Sequence, residues 1–226
     1  RSLAEQVTEQ FSTLYQANYK EESGQLSAEA IGRRRIKNIC LDYLSQLETQ
    51  QSYQLANEQF ASAKNMTDQI AALGALVNSE NPEKSASLEH FYQQWQGEAL
   101  VIDKWFSLQA MSTQADTFSV VQRLLQHSAF DLKTPNRVRA LIGAFSQSNP
   151  LHYHSENGQG YQFLADQVIA LNKINPQVAS RMVSALTQWR RFDKVRQTLI
   201  KQQLERIINT EHISKDVFEI ASKSLG

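Results

Sequence analysis

Residues 134–192 read TPNRVRALIGAFSQSNPLHYHSENGQGYQFLADQVIALNKINPQVASRMVSALTQWRRF, and they determine how the rest of the chain is interpreted. Two predicted helices in this stretch begin with a capping residue followed by proline, at Thr134 and Asn175. Arginines follow shortly after each start, Arg139 in the first helix and Arg181 in the second. A positive side chain near a helix start opposes the helix dipole, whereas the unpaired N–H groups there attract anions. The arrangement therefore predicts a site for a negatively charged group.

Helical periodicity extends over the whole chain, because apolar residues recur at the three- and four-residue spacing of a helix face. One stripe comprises Ile36, Ile39, Cys40, Tyr43, Leu44 and Leu47. The same spacing predicts helices over 51–63, 67–78, 83–96, 98–112, 117–127, 135–146, 159–174, 176–190, 193–209 and 214–224. No convincing alternation predicts a strand. We therefore predict an all-α fold in which antiparallel helix pairs stack as an armadillo/HEAT-like α-solenoid.

Turn residues predict where these helices begin. The four prolines each follow Asn or Thr and are expected at helix starts; they are Pro82, Pro135, Pro150 and Pro176. The longest predicted loop covers residues 146–159. A loop of this length inside a helical array is often functional.

Composition limits the classes of function. The 226 residues carry 23 basic and 23 acidic side chains, which argues against nucleic acid as the main partner. No apolar run is long enough for a membrane span. The single cysteine, Cys40, is predicted to be a buried structural thiol, and a lone thiol suits the reducing cytoplasm. We expect one helical domain over 1–226, and the opening RSLAEQV, without methionine, suggests a fragment of a larger protein.

Several strings along the chain carry a family resemblance. They are LYQANY at 14–19, NMTDQIAAL at 65–73, VIDKWFSLQA at 101–110, LLQH at 124–127, NRVRALIGAF at 136–145, SNP at 148–150, GQGYQFL at 158–164 and NPQVASR at 175–181. On these strings the chain resembles the C-terminal helical domain of the aminopeptidase N family, bacterial zinc alanyl aminopeptidases of the gluzincin class. The strings run nearly from end to end and stand in the family's order.

The resemblance implies a function for the domain and for its parent. The parent would be a multi-domain zinc metallopeptidase that removes N-terminal residues from short peptides in peptide catabolism, with a preference for small, apolar or basic residues. This part would cap the active-site chamber and restrict substrates by size. Its implied partners are the catalytic domain of the same polypeptide and peptide substrates, and zinc would be the cofactor of the parent.

The chain itself lacks the zinc motif of that class. A gluzincin needs H-E-x-x-H on a helix, and none of the five histidines is followed by glutamate. The closest histidine pair is His152 and His154, with Glu156 nearby, and we interpret it as a loop pair without metal. We therefore predict no catalytic and no metal-binding residue in this chain, and no hydrolysis by the chain alone.

Three residues are predicted to contact substrate. From the residues alone, Gln177 and Arg181 lie one turn apart on the flank of a helix, and a surface ion pair is a somewhat better interpretation of Arg181 than a ligand contact. The family resemblance instead favours a ligand contact for Arg181. It implies that Gln177 lines the pocket for the first side chain of the substrate, and that Arg181 and Arg139 line the cavity on the leaving-peptide side.

A different class of function fits the same periodicity. The chain could be a free-standing α-solenoid that binds a partner protein or peptide on its concave face. Composition and spacing do not separate this alternative from a peptidase domain. An upstream reading frame that encodes H-E-x-x-H and a downstream glutamate would exclude it.

Overall fold

The structure, a computed structural model, describes residues 2–19 and 26–226, and all regular elements in these residues are helical. The α-helices, in chain order, are α1 (Ser2–Gln6), α2 (Thr8–Asn18), α3 (Ala28–Ser45), α4 (Gln50–Ser62), α5 (Met66–Val77), α6 (Lys84–Trp95), α7 (Ala99–Ala110), α8 (Thr117–Leu124), α9 (Pro135–Val138), α10 (Ala144–Ser148), α11 (Pro150–Tyr153), α12 (Gln159–Asn172), α13 (Pro176–Thr187), α14 (Lys194–Ile208) and α15 (Lys215–Leu225). A π-helical segment, Arg139–Gly143, joins α9 to α10. The all-α prediction is confirmed.

The chain divides into two compact units, residues 1–108 and 109–226. Helices that are neighbours in the sequence pack together within each unit, as α2 with α3, α4 with α5 and α12 with α13 do. Short turns between neighbouring helices favour the antiparallel pairs that the sequence predicts. The organisation of the chain as a single domain stays a prediction.

The first unit is built around α3 and α5. Leu41, Leu73 and Leu76 have no exposed surface, and Phe91 closes the same core from α6. Cys40 is buried as predicted, and burial raises the pKa of its thiol, which makes it a poor nucleophile at neutral pH.

The predicted apolar stripe of α3 is only partly buried. Cys40 and Leu44 point into the core, whereas Ile36, Ile39 and Tyr43 remain exposed by 43, 46 and 37%. Lys37 occupies a core-facing position instead, because Asp68 on α5 neutralises its charge there. The residues of the predicted stripe therefore lie on two faces of α3. Within the described residues, other helices bury only the face of Cys40 and Leu44.

The second unit is centred on α12 and an aromatic cluster. Phe145, Tyr153, Tyr161 and Phe163 are all buried. Their rings meet edge to face, with 5.4 Å between the centroids of Phe145 and Phe163 and 5.2 Å between those of Tyr153 and Tyr161. This cluster fixes the position of α11 against the start of α12.

The prediction of a loop over 146–159 is wrong for most of these residues, because they are helical. Helix α10 continues to Ser148, and α11 occupies Pro150–Tyr153, so only Asn149 and residues 154–158 are non-helical. The Asn149 side chain makes this possible, because it caps α11 at the backbone N–H of His152 and donates to the carbonyl oxygens of Ala110 and Ser112. The sequence does not reveal these hydrogen bonds of Asn149, because asparagine is equally common in loops.

Three of the four prolines begin helices as predicted, at Pro135, Pro150 and Pro176. Pro82 instead lies in a turn two residues before α6 begins, so that prediction is wrong in detail. Thr134 precedes the proline of α9, but its side chain makes no capping hydrogen bond. Among the described residues, no helix is both long enough and apolar enough to cross a membrane.

Candidate functional site

Arg139 opens the π-helical segment of the second unit. Its side chain is exposed, and its Nη1 donates to Oδ1 of Asn136 over 2.6 Å. The neighbouring Val138, Leu141 and Ile142 have no exposed surface. The predicted division of this helix into a buried stripe and an exposed Arg139 is confirmed, whereas the π turn itself was not predicted. Widened turns of this kind occur frequently at functional sites, because they displace a side chain from regular spacing.

Gln177 and Arg181 lie together on the exposed face of α13. The Asn175 side chain caps this helix at the backbone N–H of Val178, over 3.1 Å. Val178 and Met182 are buried on the core-facing side of the helix, whereas Gln177 and Arg181 lie one above the other on its exposed side, near the positive end of the helix. The predicted orientation of α13 is confirmed.

The polar ends of these two side chains are available to a ligand. Among residues 2–19 and 26–226, neither the Arg181 guanidinium nor the Gln177 carboxamide has a hydrogen-bond or ion-pair partner. The surface ion pair considered for Arg181 is thus not formed in this part of the chain. An exposed guanidinium can hold a carboxylate by two parallel hydrogen bonds, and a carboxamide can both donate and accept.

The π segment and α13 are neighbours through Gly143 and Met182. A β-carbon added at Gly143 would lie 3.8 Å from Cβ of Arg139 and 3.9 Å from Cε of Met182. The π segment therefore lies against α13 at Gly143, one turn after Arg139. Arg139 thus lies on a segment that neighbours the helix of Gln177 and Arg181, although 37 residues separate Arg139 from Gln177 in the sequence.

Both histidines of the pair are half-buried, and His154 packs against neighbouring aromatic side chains. His154 Nδ1 lies 2.9 Å from the Tyr161 hydroxyl, and its ring lies against Phe192 with 4.3 Å between centroids. Arg196 donates from Nε to the backbone carbonyl of His154 over 2.7 Å. Within the residues that the structure describes, no three His, Cys, Asp or Glu side chains come together as metal ligands.

The environment of His154 should make the free energy of unfolding depend on pH. Burial, and secondarily the charge of Arg196, lower the pKa of His154 below the usual histidine value. The unfolded chain then takes up the proton more readily, so the contribution of His154 to stability is complete above about pH 6.5 and is lost as the pH falls through that value. We expect a loss of about 1 kcal/mol or less, because the ring is half-buried and partly screened.

Urea unfolding at about pH 7.5 and 5.5 measures this effect. His154→Gln should remove that part of the pH dependence, whereas His90→Gln, on an exposed position of α6, should retain it. An unchanged pH dependence in His154→Gln would show that another group is responsible.

Gly160 is a structural residue that the sequence interpretation missed. It is the second residue of α12 and contacts the backbone of Tyr153, where a β-carbon would lie 2.8 Å from Cα and 2.9 Å from the carbonyl carbon. Gly158, just before the helix, adopts a left-handed conformation with φ of 71°. The string GQGYQFL at 158–164 contains both glycines, but it does not indicate that the backbone of Tyr153 lies against Gly160.

Comparison with known proteins identifies the family. Residues 1–226 match the family described as "Domain of unknown function (DUF3458_C) ARM repeats". Aminopeptidase N of Escherichia coli (strain K12) is 40% identical over 226 residues, which is 100% of this chain and 26% of that protein. Aminopeptidase N of Haemophilus influenzae is 38% identical over 223 residues, 99% of this chain and 25% of that protein.

A solved structure shows the same fold. The crystal structure of Legionella pneumophila aminopeptidase A in complex with aspartic acid matches with a TM-score of 0.90 and 32% identity, over 99% of this chain and 27% of that chain. The chain thus spans about a quarter of the length of these relatives. The predicted armadillo-type fold class and the resemblance to aminopeptidase N are confirmed. The chain belongs to the DUF3458_C family of armadillo-repeat domains and is homologous to the C-terminal region of aminopeptidase N.

Proposed function

We propose that this chain is a non-catalytic C-terminal domain of a zinc-dependent aminopeptidase N, which caps the active-site chamber and restricts the substrates to peptides. The observation that carries the proposal is the exposed set of Arg139, Gln177 and Arg181. These are three polar side chains on neighbouring segments of the second unit, in a chain 40% identical to an aminopeptidase N. The parent would remove N-terminal residues from peptides, and the cytoplasm is the proposed compartment.

The residues of this chain do not fit a zinc site. H-E-x-x-H is absent from the sequence, and of the histidine pair at 152–154 His154 contacts the Tyr161 hydroxyl and the Phe192 ring. Zinc and the hydrolytic step are therefore assigned to another part of the parent, and this chain contributes binding groups only. Its positive side chains would attract the carboxylate of a short peptide, and the Gln177 carboxamide would contact the first side chain of the substrate.

Arg181 should distinguish two kinds of substrate in the parent enzyme. A peptide has a C-terminal carboxylate, whereas an amino-acid anilide has none. We expect Arg181→Ala to lower kcat/KM for di- and tripeptides by roughly 2- to 30-fold, the equivalent of about 0.5–2 kcal/mol for a partly screened ion pair, and to leave the anilide nearly unchanged. Gln177→Ala should instead change the preference among first residues.

Steady-state kinetics of both variants on both substrate types provides the test. Arg123→Ala is a matched control, because Arg123 is also an exposed arginine of the second unit but lies on α8. Equal losses for anilide and peptide in Arg181→Ala would assign the arginine a structural role and remove the support for the carboxylate contact.

The uncovered face of α3 supports the proposed partner, the remainder of the parent polypeptide. A groove of about 610 Å³ lies there, with Ile31 and Ile39 exposed by 50 and 46% and with Arg35 and Asp42 beside them. Exposed aliphatic side chains lose contact with water when a second apolar surface covers them. The relatives are about four times as long as this chain and supply polypeptide that could do so.

A charged residue in place of Ile39 should therefore destabilise the full-length parent more than it destabilises the 226-residue chain. We expect Ile39→Asp to destabilise the full-length parent by about 2 kcal/mol more than it destabilises the 226-residue chain, because only the parent would bury the position. Thermal and urea unfolding of both proteins measure the difference. Val195→Asp, at an exposed position of α14, is the control. The same loss in both contexts would mean that this face stays exposed in the parent.

A further inference from the structure

The turn between α11 and α12 contains the only Asn-Gly pair in the sequence, Asn157 and Gly158. An asparagine side chain is chemically labile when the backbone nitrogen of the next residue reaches its carboxamide carbon. Glycine permits that approach most readily, because it has no side chain to crowd the nitrogen. Asn157 is exposed and lies in the non-helical residues 154–158. The pair therefore combines a labile side chain, an unhindered nucleophile and access to water.

The hydrogen bonds of the Asn157 carboxamide favour attack at its carbon. Oδ1 accepts from the Ser155 hydroxyl over 2.8 Å and from the backbone N–H of Gln159 over 3.1 Å. Two donors at one oxygen stabilise the negative charge that develops there when a nucleophile adds to Cγ. Within the part of the chain that the structure describes, the Nδ2 group has no hydrogen-bond partner to retain it. The attacking nitrogen of Gly158 is held by one hydrogen bond, to the Ser155 carbonyl over 3.0 Å.

The other asparagines lack this combination. Three of them precede proline, whose nitrogen carries no proton, and these are Asn81, Asn149 and Asn175. Asn209 provides the closest comparison, because it is also exposed at a helix end, and the N–H of the next residue is also held by one backbone carbonyl, over 3.2 Å. That next residue is Thr210, whose branched side chain crowds the nitrogen.

We propose that Asn157 is a site of spontaneous deamidation through a cyclic imide. Hydroxide removes the proton from the Gly158 nitrogen, and this nitrogen forms a bond to Cγ of Asn157. The Cγ–Nδ2 bond then breaks, and ammonia leaves with a proton taken from water. Water opens the imide at Cγ to give aspartate, or at the main-chain carbonyl to give isoaspartate, in which the backbone runs through Cβ. The net reaction consumes water and releases ammonia, without oxidation or reduction.

The modification adds a negative charge at the start of α12. In the aspartate product, a carboxylate stands where Oδ1 of Asn157 accepts the N–H of Gln159, at the positive end of a 14-residue helix. Arg196 contacts the same turn, since its Nη2 lies 3.7 Å from Oε1 of Glu156. These positive groups favour the aspartate product. The site involves none of the proposed substrate contacts and goes beyond the proposed function.

Incubation of the 226-residue chain at mildly alkaline pH tests the proposal. Peptide mapping by mass spectrometry, after digestion at acidic pH to prevent conversion during handling, follows each asparagine separately. We expect Asn157 to convert first, to both aspartate and isoaspartate, at a rate proportional to the hydroxide concentration. Asn209 is the matched internal control and should convert at least several-fold more slowly. Circular dichroism before and after incubation checks that the chain stays folded.

Two variants separate the contribution of the structure from that of the Asn-Gly pair. Asn157→Gln should abolish conversion at this position, because the longer side chain would have to form a larger ring. Ser155→Ala removes one donor to Oδ1 and should slow conversion of Asn157 by roughly 2- to 10-fold, while the rate at Asn209 stays unchanged. Equal rates at Asn157 and Asn209, a product without isoaspartate, or an undiminished rate in Ser155→Ala would each overturn the inference.

Discussion

Replacing Gly160 with alanine should destabilise the protein by about 3 kcal/mol, one of the two largest effects expected of a single substitution here. The added β-carbon would lie 2.8 Å from Cα of Tyr153 and closer still to its carbonyl oxygen. These are backbone atoms of α11, so no side-chain rotation relieves the overlap. Helices α11 and α12 would have to separate, and the edge-to-face contact between Tyr153 and Tyr161 would be lost with them.

Urea unfolding followed by circular dichroism measures this loss. Gly32→Ala is the matched control, because Gly32 also lies within a helix, α3, but a β-carbon there meets no atom within 4 Å. That substitution should stabilise the protein by about 0.5–1 kcal/mol, the ordinary gain of alanine over glycine in a helix. Equal effects of the two substitutions would contradict the close approach of α11 and α12.

Removing the charge of Lys37 should have a comparable effect in the first unit. Lys37 Nζ lies 2.8 Å from Oδ2 of Asp68, and the two side chains are only 5 and 9% exposed. Asn38 and Asn65 also donate to the Asp68 carboxylate, each over 3.0 Å. Lys37→Ala leaves that carboxylate buried without its cation, so we expect a loss of about 3–5 kcal/mol.

A surface ion pair provides the comparison for Lys37. Lys223 pairs with Glu219 over 2.6 Å on α15, where the two side chains are 75 and 52% exposed. Lys223→Ala should therefore cost no more than about 0.5 kcal/mol. Chemical denaturation of the two variants under the same conditions tests the difference. If both substitutions cost the same, water reaches the Lys37–Asp68 pair and the polar interior of the first unit is wrongly described.

The two units are stabilised by different interactions. In the first unit, a buried charged pair joins α3 to α5, while Ile36 and Ile39 on another face of α3 stay exposed among the residues that the structure describes. In the second unit, closely packed aromatic residues hold α11 and α12, and the polar side chains available to ligands lie on the surfaces around them. Core packing and binding groups are thus carried by different faces of the same helices.

Much of the candidate site could be predicted from the sequence. The periodicity of α13 alone separates Val178 and Met182, which are buried, from Gln177 and Arg181, which are exposed, because a helix with a capped start and a clear apolar stripe has one possible orientation. The Asn175 cap follows from the same local pattern. The contact of the π segment with α13, at Gly143 and Met182, is different, since it depends on packing between segments that are distant in sequence.

The sequence by itself determined the helical class, most helix limits and the buried position of Cys40, because these follow from periodicity, capping residues and hydrophobicity over a few turns. Only the tertiary structure decided the rest. Asn149 makes helix out of a predicted loop by capping α11 and anchoring it to Ala110 and Ser112, and Lys37 enters the core because Asp68 lies opposite it on another helix. The physical reason is the same in both cases. A polar side chain is stable in the interior only when a hydrogen-bond or ion-pair partner lies beside it, and here that partner is distant in the sequence.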